Sequence, residues 1–83
     1  MKYVLDGKKM LSREEAHAHL QEVFAFPQHY GKNLDALSDC LAELGEIEAE
    51  IYHTAEMLAA LGKYGEGILR VFYEREALHI EVK

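Results

Sequence analysis

Asp35 and Asp39 stand four residues apart, with Glu43 four further on and Glu46 three beyond that. At 100° per residue these positions and Ala42 share one face of a helix. Carboxylates so arranged can act as an acid–base pair, hold a divalent cation, or meet cationic groups of another molecule. They can also be simply the wetted side of an amphipathic helix. Two details weigh against that plain role. Asp35 falls in the first turn, where the helix dipole favours it, whereas Asp39 lies beyond that benefit, has poor helix propensity and faces a like charge one turn away. Such a pair costs about 0.2–0.5 kcal/mol, and no Lys or Arg in the helix offsets it. The row is uncomplemented within its own helix, as it would be if its complement lay on another molecule, but periodicity alone still favours the ordinary wetted face.

Other candidate chemistry is sparse. The chain has no nucleophile elbow, no phosphate-binding glycine loop and no Cys/His set at metal-binding spacing. An exposed helix face also supplies neither desolvation nor supporting groups for catalysis. The expectation is a protein that is not an enzyme, with no cofactor and no metal ligands. His17 and His19, two apart on a helix, point in different directions and are expected to face solvent or cap the helix. His53 and His79 fall at strand positions and His29 in a loop. Cys40, beside a leucine stripe, reads as a small buried hydrophobe rather than a nucleophile.

The net charge is −6, but it is unevenly spread. Residues 33–62 hold seven carboxylates and no Lys or Arg, while the rest of the chain carries nine bases and eight acids. Such a field repels nucleic acid and anionic lipid and attracts basic surfaces. Neither nucleic acid nor membrane is expected as a partner. With 83 residues the chain is read as one domain, 1–83, and 49% apolar residues suffice for its core. One cysteine cannot make an internal disulfide, and no stretch is long enough to span a bilayer, so a cytoplasmic location is expected.

Elements must then position the acidic face. Tyr3–Leu5 reads as a strand ending at the Asp6-Gly7 turn. Ser12 and Glu15 form a capping-box pattern that opens a helix to about Ala25, stopped by Pro27. Asn33 caps a second helix to Leu44, with Leu34, Leu37, Leu41 and Leu44 as its core stripe. Ile47, Ala49 and Ile51 alternate with Glu48, Glu50 and Tyr52 as a strand exposed on one face or near an edge. Thr54 reads as the cap of a third helix ending at Gly62. A fourth begins at about Glu66, and Leu78, Ile80 and Val82 alternate as a closing strand. The order is β-α-α-β-α-α-β, an α/β arrangement that favours parallel pairing through right-handed crossovers.

The run His29-Tyr-Gly-Lys-Asn-Leu-Asp-Ala-Leu-Ser-Asp-Cys-Leu41 resembles the signature of the barstar family, with its Tyr-Gly-x-Asn-Leu-Asp-Ala-Leu-x-Asp core. Val71-Phe72-Tyr73-Glu74 is similar to the Val-Phe-x-Glu segment of that family's last helix, and the resemblance covers nearly the whole chain. It implies a three-stranded parallel sheet with helices packed against it. It also implies an intracellular inhibitor, a monomer when free, that occludes the active site of a basic ribonuclease. On this resemblance Asp39 and Asp35 mimic RNA phosphates, Glu74 adds a peripheral ion pair, and Asn33, Leu34 and Ala42 give contacts around the helix, with Glu43 on the same face. His29, Ser38 and the Glu43-Leu44 pair take the places of aromatic-containing positions in the family pattern, so these three sites would meet the partner differently. A barstar-fold module binding a basic partner that is not a nuclease is the alternative reading.

Overall fold

Three short strands set the frame: β1 (Lys2–Asp6), β2 (Ile47–Tyr52) and β3 (Leu78–Val82), all parallel, in the order β1-β2-β3. The fold is a computed structural model that describes residues 2–74 and 78–83. Parallel neighbours cannot be joined by a hairpin, so each step between strands is made by a helical pair. α1 (Arg13–Phe24) and α2 (Leu34–Leu44) make the first crossover; α3 (Thr54–Leu61) and α4 (Lys63–Tyr73) make the second. The expected α/β order is the observed one. α1 packs on β1, α4 on β3, and α2 and α3 both pack on α4.

β2 is the central strand, not an edge. Its Ile47, Ala49 and Ile51 are buried, as the alternation required, but so is Glu50. A carboxylate is tolerated there because Lys2 Nζ lies 2.5 Å and Lys83 Nζ 2.8 Å from its two oxygens, and the Tyr52 hydroxyl donates to it at 2.7 Å. Those bonds, from Lys2 first and then Lys83 and Tyr52, hold the Glu50 carboxyl down at about 2. Glu50 is thus neutralised within the sheet and withdrawn from the acidic surface that the sequence suggested. The inward alternation expected of Leu78 and Ile80 lies outside the described side chains.

The core is contiguous and aromatic at one end. Phe24 stacks on Phe26 with centroids 5.4 Å apart and meets Phe72 at 6.0 Å and Tyr3 at 4.7 Å. Burying both Phe24 and Phe26 requires a sharp stop to α1, and Ala25 supplies it in the left-handed region at φ 55°. Its amide and that of Phe26 both return to the Gln21 carbonyl, closing the last turn.

Two helix starts differ from expectation. His53, at φ 55°, occupies the N-cap of α3 without a side-chain cap bond, and Thr54 is the first helical residue, its hydroxyl donating back to the Ile51 carbonyl. α4 begins at Lys63, three residues before Glu66, although its first turns hold Gly65 and Gly67. Glycine is a poor helix former, but here it lets neighbouring side chains pack close: a Cβ on Gly67 would sit 2.9 Å from Leu34 Cδ1, and one on Gly65 3.2 Å from Leu58 Cδ2.

Gly7 follows β1 in a 3₁₀ turn over Gly7–Lys9, where a Cβ would collide with the His53 carbonyl oxygen. Because the obstacle is backbone, it cannot swing aside. Gly7→Ala should therefore cost about 3 kcal/mol of stability. Urea denaturation checks this, and a midpoint within error of the parent would contradict the close approach.

Candidate functional site

α2 has one apolar and one acidic side. Leu37 and Leu41 are buried, and Leu34 and Leu44 pack partly against the same core. That burial fixes the rotation of the helix, so Asp35, Asp39, Ala42 and Glu43 face solvent. The three carboxylates rise one turn apart along a line about 12 Å long. Glu46, just beyond the helix, is also exposed. Among the described residues, none of Asp35, Asp39, Glu43 and Glu46 forms an ion pair. Glu50, by contrast, takes two lysines. Among the described residues the molecule thus neutralises one buried acid and leaves a row of exposed acids without ion-pair partners.

The remaining expected site residues are arranged around this row. Asn33 is the N-cap of α2: its Oδ1 accepts from the Ala36 amide at 2.7 Å and its Nδ2 donates to the Gly31 carbonyl at 3.3 Å. Its side chain therefore builds the helix start as well as bordering the face. Leu34 is half-buried against α4, and Ser38 is half-buried on the flank. His29 is exposed in the preceding loop. Glu74, the C-cap of α4, is exposed seven residues beyond the Gly67 that touches Leu34, roughly 10 Å along that helix. Cys40 is half-buried, and burial, then Glu43 and Asp39, push its thiol up, which opposes any nucleophilic role. Among the described residues no group of three or more His, Cys, Asp or Glu side chains could hold a metal ion. No helix of the described residues is long and apolar enough to cross a membrane.

What orients the loop is a histidine expected at the surface. His17 is 1% exposed, and its ring is held between two phenols. Nδ1 lies 2.6 Å from the Tyr30 hydroxyl and Nε2 2.6 Å from the Tyr64 hydroxyl. A neutral imidazole has one donor and one acceptor, so one tyrosine donates and the other accepts. Burial, assisted by the Lys32 charge, lowers the His17 pKa, and burial raises the Tyr30 phenol well above its ordinary value. The bridge ties α1, the loop before α2 and α4 at one point, and Tyr30, buried, leaves its neighbour His29 facing outward. His19 likewise departs from expectation: half-buried, it accepts from the Asp6 amide at 2.9 Å through Nε2. Both partners of His17 are far away in sequence, so only a helical wheel placing His17 beside Ala16 and Leu20 could have hinted at its burial.

Residues 1–81 match the family model described as Barstar (barnase inhibitor). The chain is also 33% identical over 87 residues to the Bacillus subtilis (strain 168) protein named "Putative ribonuclease inhibitor YrdF", a match spanning 99% of this chain and 93% of that protein.

The neutral bridge has a pH consequence. Because the folded chain resists protonating His17, whereas an unfolded histidine takes a proton near pH 6.5, the unfolded state binds more protons as the medium acidifies. This contribution to stability is complete above about pH 6.5 and is lost as pH falls through the lowered folded value. Between about pH 7.5 and 5.5, His17→Gln should lose less stability than the parent, with a residual slope from His19, whose pKa is also lowered by burial. Equal slopes in denaturant titrations at several pH values would contradict the role given to His17.

Proposed function

Because this chain belongs to the barstar family, we propose that it is a cytoplasmic protein inhibitor of a basic ribonuclease, not an enzyme, and acts as a monomer. The observation that carries this reading is the row Asp35–Asp39–Glu43, exposed on a helix whose rotation is fixed by buried leucines and, among the described residues, without an ion-pair partner. In the proposed complex α2 lies across the nuclease active site. Asp39 and Asp35 occupy the places of RNA phosphates, and the arginines, lysines or histidines that bind substrate are consumed by them. Inhibition follows from occlusion, since substrate and inhibitor compete for the same cations.

The α2 helix suits that task physically. Its acids are presented on a regular element, so little side-chain and backbone freedom is lost on docking. The −6 net charge adds a long-range attraction that speeds encounter with a basic surface. Ala42, at the edge of the same face, is short and leaves room for a partner to approach the backbone. His29, Asn33, Leu34, Ser38 and Glu74 border the contact. A second reading, a module that binds a basic partner other than a nuclease, is favoured by one observation: His29, Ser38 and Glu43-Leu44 stand where the family pattern carries aromatics, and aromatics anchor many interfaces.

The test is inhibition of a ribonuclease recovered with this chain from its native host. Asp39→Ala should weaken inhibition at least thirtyfold, about 2 kcal/mol, while Glu48→Ala, outside α2, should change it less than about threefold. Equal effects would remove Asp39 from the centre of the interface, and a captured basic protein without nuclease activity would select the second reading. Association should also slow steeply as salt is raised, because screening shortens the reach of the acidic face. A salt-independent on-rate would contradict steering.

A further inference from the structure

Beside the acidic row lies a patch of the opposite sign. A cleft of about 260 Å³ opens between the start of α1, the loop before α2 and the start of α4. Arg13 and Lys32 line it, with Tyr64, Asn33 and Leu34 on its walls and His17 behind. The Arg13 guanidinium lies over the Tyr64 ring, 4.2 Å from its centroid, and is held against the wall by that contact. Among the described residues neither Arg13 nor Lys32 forms an ion pair. Glu14 also borders the cleft, leaving it one charge positive in a chain of net charge −6.

Both cations are placed against local electrostatics. Arg13 is the first residue of α1 and Lys32 immediately precedes the cap of α2, so each sits at the positive end of a helix dipole, where an anion is favoured and a cation is not. Lys32 also bears on buried His17, whose proton affinity it lowers. Two cations gathered at two helix starts, without an ion-pair partner among the described residues, form a surface complementary to an anion.

We propose that this cleft is a second recognition site, which takes a carboxylate side chain of the partner that docks on α2. The proposal rests on the α2 reading above, because Asn33 and Leu34 line the cleft and Asp35 follows them directly on the acidic face. A free RNA phosphate fits less well, since it would have to approach beside that face against the net charge. The partner is thus required to carry an acid flanking its basic substrate site. Partners with a uniformly basic surface are rejected at the cleft, and this confers specificity that the acidic row alone lacks.

The test turns on the sign of an effect. Arg13→Gln/Lys32→Gln makes the chain two charges more negative, so attraction between net charges alone predicts tighter binding to a basic ribonuclease. A carboxylate seated in the cleft predicts the reverse: binding about tenfold weaker, with most of the loss in a faster off-rate. Binding kinetics of the full chain with the captured ribonuclease decide between them, with Asp39→Ala run in parallel. Unchanged or tighter binding by the double variant overturns the proposal. If Asp39→Ala weakens binding in the same experiment, the α2 reading stands and only the cleft fails; if neither variant weakens binding, both fail. An independent measurement uses the unaltered complex treated with a carbodiimide, which joins contacting amines and carboxylates. The expected product links Lys32 to an Asp or Glu of the ribonuclease, and coupling confined to other lysines overturns the assignment.

Discussion

Three strands running the same way impose a constraint that the rest of the molecule has to satisfy. A parallel pair needs a long connection, and with only 83 residues the chain spends most of its length on two such connections. Each crossover is a helical pair, and each helix must bury one stripe against the sheet or a neighbouring helix. α2 is the clearest case. Leu37 and Leu41 lie in the core, so the opposite face, with Asp35, Asp39 and Glu43, can only point outward. The direction of the acidic row is therefore a by-product of closing a parallel sheet, and its precision is inherited from the core.

Charge is handled in two ways within this small frame. Glu50, on the central strand, is buried and receives Lys2, Lys83 and the Tyr52 hydroxyl. A buried carboxylate without such partners would be strongly destabilising, and the two lysines come from the first residue of β1 and the residue after β3. On α2 the acids stay in water, where like charges one turn apart cost only a few tenths of a kcal/mol. A surface can hold an uncompensated row at little expense to stability; a core cannot.

Much of this was legible because it is local. The caps at Ser12 and Asn33, the leucine stripe and the order of elements follow from residues within one or two turns of each other, and the structure has them: Ser12 Oγ accepts from the Glu15 amide and Asn33 Oδ1 from that of Ala36. The exposed face of α2 was readable for the same reason. What escaped depends on distant partners. His17 is buried because Tyr30 and Tyr64 reach it from 13 and 47 residues away. Glu50 is buried because lysines arrive from both ends of the chain. The start of α4 was hidden by two glycines whose absent side chains make room for Leu34 and Leu58. The cleft between Arg13 and Lys32 was invisible as well, since nothing local to either residue shows that α1 and the loop before α2 converge.

The arrangement of Lys2 and Lys83 about Glu50 also bears on mechanics. Lys2 opens β1 and Lys83 follows β3, and because the strands are parallel these two residues sit at opposite ends of the sheet, on either side of the central strand. A pull applied between them does not peel one ladder bond after another. It slides β1 and β3 in opposite directions along β2, so the ladder bonds bear the load together, and the Glu50 clamp lies across the plane of sliding. The same three strands that aim the acidic helix therefore form a shear-loaded joint, stiff along the axis on which the chain would be drawn out.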